Sequence, residues 1–212
     1  LQQQILREVR HGLAEARIVP LSKLFDRLAR ILDLLMTDYG KPVELRLTGT
    51  EILVDKAIAE RLYDPILHLL RNAFDHGIES PEIRESLGKP SAGQISIHAY
   101  VEGQNTFIEV SDDGQGLNFQ LIRDRAVQLS LQSLEQASLL TEEALTDLLF
   151  EPGFSTVAPA NELSGRGVGL DVVRSQLRSL QGSIQATSQP QQGTVFTLRI
   201  PDVLTMATFE LS

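Results

Sequence analysis

The chain has 212 residues, 42% of them hydrophobic, enough to bury a sizeable core in one main domain with a short appendage. A formal charge of −9 argues against a broad nucleic-acid-binding surface, and the absence of cysteine removes disulfides, thiol catalysis and Cys-ligated zinc together, which fits a reducing cytoplasm. No run of about 18 apolar residues offers a membrane span, and Leu1-Gln2-Gln3-Gln4 is neither a signal peptide nor a natural start, so a piece of a longer protein is expected.

From Ile5 to Leu35 apolar residues recur at helical spacing on either side of Pro20, which predicts the end of one helix, a joint, and an amphipathic helix. Val43-Glu44-Leu45-Arg46-Leu47 alternates as a half-buried strand does, with Gly49 after it. Asp64 and Pro65 have the form of an N-cap and a first-turn proline, predicting a helix from there to Gly77. Ser80-Pro81-Glu82 opens a charged helical turn, and Gly88 to Gly93 is loop. Strands are expected over Gln94 to Val101 and Thr106 to Val110, joined as a hairpin. Leu117 to Thr146 is helical in pattern and polar enough for a surface insertion, and Val157 to Glu162 reads as a mobile loop. A helix over Asp171 to Leu180, stopped by Gly182, and strands over Ser183 to Ser188 and Thr194 to Ile200 close the domain.

Four short segments carry the chemistry. In His68-x-x-x-Asn72-x-x-Asp75-His76-Gly77 the polar positions fall at i, i+4, i+7 and i+8 on one helical face, while Leu67, Leu70 and Phe74 fall roughly on another. Asn72 offers a neutral oxygen that can join Mg²⁺ beside phosphate oxygens and water. Taken alone, such a stripe is more often a solvated helix face. Asp112-Asp113-Gly114-Gln115-Gly116 follows a strand: its glycines let the backbone approach a flat ring, and its first carboxylate can accept a hydrogen bond from an adenine amino group. A lone Asp-x-Gly-x-Gly is also a common turn. The third segment is Phe150-Glu151-Pro152-Gly153-Phe154-Ser155-Thr156, and the fourth, Gly165-Arg166-Gly167-Val168-Gly169, enters a helix where amides and the helix N-terminus can meet phosphates. It lacks the Gly-Lys-Ser/Thr of a P-loop and does not match the dinucleotide fingerprint.

In this order the segments resemble the ATP-binding boxes of the gyrase, heat-shock chaperone, histidine kinase and mismatch-repair superfamily. The run from His68 to Glu79, with Phe150 to Thr156 and Ser164 to Val173, is similar to CheA-type chemotaxis histidine kinases in particular. The resemblance covers about Val19 to Leu204. It implies an α/β two-layer sandwich, a mixed sheet backed by helices, with ATP between the motif helix and a lid formed near residues 150 to 164. It assigns Mg²⁺ to Asn72, adenine recognition to Asp112 with Gly114 and Gly116 nearby, and phosphate contacts to His76 and to Gly165, Arg166, Gly167 and Gly169; Asp75 joins this nucleotide-binding set. His68 stands where ATP-hydrolysing relatives commonly carry a glutamate that activates water, which suits transfer to another histidine, with His68 as base or hydrogen-bonding partner.

The resemblance also implies an acceptor histidine on a separate phosphotransfer domain, a response regulator, a receptor-coupling protein, and a homodimer for the full-length protein. Residues 1–19 would end a helical dimerisation domain, 20–201 form the catalytic domain, and 202–212 begin a coupling domain. His11 lacks an acidic neighbour and reads as structural or exposed, and His98 as a strand side chain. Two positions depart from the family pattern: Leu121, where a basic residue is usual, and Val157, where a charged one is; Arg123, Arg125 and Arg166 are the candidates to supply the missing charge. An ATPase with a conformational cycle and a catalytically weak ATP-binding regulatory module are the competing readings.

Overall fold

Period-two burial along the strands and period-3.6 burial along the helices generate one mixed sheet with a helical layer on one face. In this computed structural model residues 17–154 and 169–201 are described. They form β1 (Ile18–Pro20), α1 (Ser22–Tyr39), β2 (Val43–Thr48), β3 (Leu53–Asp55) and α2 (Lys56–Asn72), which a π-helical turn, Ala73–Gly77, extends. Next come α3 (Pro81–Ser86), β4 (Gly93–Glu102), β5 (Asn105–Asp112), α4 (Phe119–Gln128), α5 (Leu134–Leu139), α6 (Glu142–Leu148), α7 (Leu170–Arg178), β6 (Ser183–Gln189) and β7 (Gly193–Pro201).

The main sheet has the order β2-β4-β5-β7-β6, with β2 parallel to β4 and the remaining pairs antiparallel, and β1 pairs separately with β3. Along β5 every second residue is buried, from Thr106 through Ile108 and Val110 to Asp112. That inner face meets Leu24, Phe25 and Leu28 of α1, Ile66, Leu69 and Leu70 of α2, and Val173 and Leu177 of α7 in one core. The opposite face carries His98, Tyr100 and Phe107, whose rings stack in sequence with centroids 5.3 and 5.1 Å apart. His98 is the strand side chain expected, its Nδ1 paired with the Thr48 hydroxyl at 2.6 Å. The two-layer α/β sandwich implied by the resemblance is therefore the fold.

Several local expectations give way to packing. The motif helix starts at Lys56 rather than Asp64, because Asp55 is its N-cap, accepting from the Ala57 amide at 2.7 Å, and Ala59 and Leu62 are buried ahead of the proline. Pro65 sits inside α2, where its ring is buried and the loss of one backbone donor is offset by core contacts on both sides. Ile18–Pro20, read as a joint after a helix, is a strand because β3 supplies its partner. The insertion divides into α4, α5 and α6 and has its own small core of Phe119, Ile122, Ala126, Leu145 and Phe154. Most of the expected dimerisation segment (1–16) and the expected start of a coupling domain (202–212) lie outside the described residues.

The turn from β2 towards β3 passes β4 closely: Gly49 has φ +72°, and a Cβ there would stand 1.9 Å from the Ala99 carbonyl oxygen. Gly49→Ala should therefore lower the thermal midpoint, by the equivalent of about 1–3 kcal/mol. An unchanged melting curve would show that the turn relaxes without loss.

Candidate nucleotide site

β5 delivers Asp112 to the inner face at its last residue, so a carboxyl group ends up in the core with only 9% of the residue exposed. One oxygen accepts from the Gly114 amide at 2.9 Å. Three glycines make room for it. A Cβ at Gly77 would lie 2.9 Å from the Asp112 carboxyl carbon, one at Gly114 would lie 2.0 Å from the Gly77 carbonyl oxygen, and one at Gly193 would lie 1.8 Å from the Asp112 carbonyl oxygen. Burial pushes the Asp112 carboxyl up to about 6, helped by the neighbouring charges of Asp113 and Glu79 and opposed by the Gly114 and Thr194 amides. A carboxylate at the floor of a glycine-lined recess has the chemistry to accept from an amino group on a flat base.

Behind the recess lies a cluster that the sequence did not announce. The Arg84 side chain is fully buried and donates to Glu79 at 3.0 Å, to both carboxylate oxygens of Asp113 at 3.1 and 2.8 Å, and to the Pro90 carbonyl at 2.8 Å. Lys89 donates to Glu79 at 2.8 Å and to the carbonyls of Asp113 and Gly114 at 2.9 and 2.8 Å. Arg84 read as part of a charged helical turn and Lys89 as loop. The nearest signal was a lysine and an arginine within ten residues of Glu79, but their partner Asp113 is distant in sequence.

On the facing helix, His68 and Asn72 are half-buried, while Asp75 and His76 are exposed. The expected single α-helical face is interrupted by the π turn, closed by the Ile78 amide to the Ala73 carbonyl at 2.8 Å. Such a turn shifts the residues after it around the axis and is frequent at functional sites. It also presents backbone acceptors to the second motif: the Gln115 amide donates to the Gly77 carbonyl at 2.9 Å, and its side chain to the His76 carbonyl at 2.7 Å. Burial holds the His68 imidazole below its usual value, with Arg71 and His76 acting in the same direction and Asp171 against them. Among the described residues no group of three or more His, Asp or Glu side chains is arranged to hold a metal ion. A Mg²⁺ ion at the Asn72 amide oxygen would take the rest of its shell from phosphate and water oxygens, the donor set magnesium favours with nucleotides.

The described part of the third segment, residues 150–154, is fixed through two cores. Phe150 enters the main one, edge-on to Phe196 with centroids 6.4 Å apart, and Phe154 enters the core of the insertion. Arg174 of α7 lies over the Phe150 ring at 4.4 Å and pairs with Asp147 at 3.0 Å. A cavity of about 440 Å³ lies between this segment and α7, bordered by Phe150, Pro152, Asp171, Val172 and Arg178. Gly169 is the N-cap of α7, whereas Gly165, Arg166, Gly167, Val157 and most of the expected lid lie outside the described residues. Leu121 is exposed on α4, Arg123 donates to the Leu140 carbonyl at 3.3 Å, and Arg125 to Gln128 at 3.4 Å.

Asp112 makes a stability prediction of definite sign. A carboxyl raised from 3.8 to about 6 in the folded state weakens folding as pH rises through that interval, by on the order of 3 kcal/mol once it is ionised in both states. Asp112→Asn should therefore raise the melting temperature of the nucleotide-free chain at pH 8, with the gain shrinking as pH falls through 6. An equal gain at pH 8 and pH 4 would contradict the burial argument.

Comparison with known proteins establishes the family. The histidine kinase-, DNA gyrase B- and HSP90-like ATPase family matches residues 57–204. The chain is 40% identical over 190 residues to the chemotaxis protein CheA of Bacillus subtilis, covering 90% of this chain and 28% of that protein. It is 42% identical over 194 residues to the gliding motility regulatory protein of Myxococcus xanthus, covering 92% and 25% respectively. The chain thus spans about a quarter of the length of these relatives. The catalytic domain of histidine kinase ThkA shares the fold at a TM-score of 0.57 and 16% identity, covering 87% of this chain and 94% of that one. Among the described residues no helix is long and apolar enough to cross a membrane. The chain belongs to the histidine kinase-, DNA gyrase B- and HSP90-like ATPase family and carries an ATP-binding domain of the CheA type.

Proposed function

We propose that residues 20–201 form the catalytic domain through which a CheA-like protein-histidine kinase passes the γ-phosphoryl of ATP to a histidine on a separate phosphotransfer domain. The observation that carries this reading is His68: a half-buried imidazole, held towards its neutral form, on the helix that also bears Asn72. Asp112 would accept from the adenine amino group, with Gly114 and Gly116 letting the backbone approach the ring. Asn72 would hold Mg²⁺, and His76 with Gly165, Arg166, Gly167 and Gly169 would contact the phosphates; Asp75 stands beside them. Bound Mg²⁺ neutralises phosphate charge, and most of the acceleration then comes from alignment and electrostatics. Neutral His68 can take a hydrogen bond or a proton from the acceptor imidazole, whereas a glutamate would favour activation of water.

The partners follow from the same reading: a phosphotransfer domain, then a response regulator, with a receptor-coupling protein and homodimerisation contributed through parts of a longer cytoplasmic protein beyond residues 20–201. The CheA relatives support the phosphotransfer domain and the response regulator as partners.

With γ-labelled Mg-ATP and a separate phosphotransfer domain, acid-labile label should appear on the acceptor and vanish with Asn72→Ala. His68→Ala should slow transfer by about 100-fold or more with little change in nucleotide affinity. Free phosphate without labelled acceptor would overturn the kinase reading in favour of an ATPase. The two titrations should also separate. Affinity for ATP falls as pH drops through about 6, where Asp112 becomes protonated, while the His68 limb in kcat lies below the ordinary imidazole value and is absent from His68→Gln.

A further inference from the structure

We propose that Lys89 and Arg84 are positioning residues for base selection: with Glu79 and Asp113 they lock the Asp112 to Gly116 turn in the one placement that points the Asp112 carboxylate at a purine 6-amino group. This rests on the reading of Asp112 as the adenine contact.

The lock acts on the turn and not on Asp112 itself. Two of the three acceptors of Lys89 are the carbonyls of Asp113 and Gly114, the residues immediately after Asp112. Arg84 takes both carboxylate oxygens of Asp113, and one of them also accepts from the Gln94 amide at 2.8 Å. On the far side, the Gln115 amide is tied to Gly77, and the Leu117 amide to the Ser188 hydroxyl at 2.8 Å. The turn is thus fastened at both ends, and its middle has no slack, since Gly114 packs against the Gly77 carbonyl with no room for a methyl group.

Charge points the same way. The cluster contains two cations and two carboxylates, and its Arg84 and Glu79 side chains are 0% and 4% exposed. Buried ion pairs are poor sources of stability compared with apolar side chains of like volume, so their use suits a demand on geometry. Neutrality matters next to a buried carboxylate: removing Lys89 leaves a net negative charge beside Asp112 and takes a donor from both carbonyls, that of Asp113 keeping only a long hydrogen bond from Arg84 at 3.4 Å. Lys89 is also the cation that can be changed without emptying the core, its side chain being 18% exposed.

The test compares ATP with inosine triphosphate, which carries an oxo group where ATP carries the 6-amino group, by titration of the whole chain. The unmodified chain should prefer ATP. Lys89→Met and Lys89→Gln should each weaken ATP about tenfold while leaving inosine triphosphate within about twofold, and Lys89→Arg should restore most of the preference. A role confined to stability would weaken both nucleotides in parallel, and that result, or an unchanged ratio, overturns the proposal. Asp112→Asn in the otherwise unmodified chain separates the two levels. If it leaves the preference intact, Asp112 does not read the base and the positioning role falls with it. If it abolishes the preference and the Lys89 variants do not, the adenine reading stands and the positioning role alone is lost.

Discussion

A carboxyl group taken almost entirely out of water sets the terms for the rest of this structure. Asp112 ends a central strand, and everything around it serves either to admit it or to hold it still. The recess exists because glycines from the π turn, the second motif and the start of β7 converge on one point. Burying a carboxylate works against folding, and the structure accepts that penalty where a ligand donor would relieve it.

The helix opposite is shaped by the same demand. An uninterrupted α-helix would keep His68, Asn72, Asp75 and His76 in line. The π turn breaks that line after Asn72 and leaves backbone carbonyls for Gln115 to bind, so the first motif and the second become one rigid unit. At the other side of the site, the phenylalanines four residues apart do a comparable job: each is embedded in a different core, so Phe150 to Phe154 is held at both ends.

The sequence made much of this legible, for identifiable reasons. The β4–β5 hairpin and the two final strands showed themselves through strict alternation, and Asp112 and its glycines were picked out because turn residues directly after a strand are conspicuous. The start of α2 was misplaced because Asp64-Pro65 satisfies every local rule for a helix beginning, and only the burial of Ala59 and Leu62 reveals that the helix is already under way. Arg84 and Lys89 escaped notice because their partner Asp113 lies at least 24 residues away and no periodicity encodes the contact. Gly77 enters the first motif only as the end of its helix and Gly193 looks like ordinary punctuation, and their purpose appears only when the sheet brings Asp112 against both. What the sequence conceals is tertiary contact, not chemistry.

The convergence of glycines has an evolutionary consequence. Gly77, Gly114 and Gly193 come from three separate segments, and each would collide with Asp112 or with its neighbour if it gained a single carbon. The back wall of the recess therefore cannot be remodelled one substitution at a time, because any first step disturbs the group it would need to preserve. Diversification of this domain is therefore expected at residues that hold the turn from outside, such as the part-exposed Lys89, while the three glycines stay as they are.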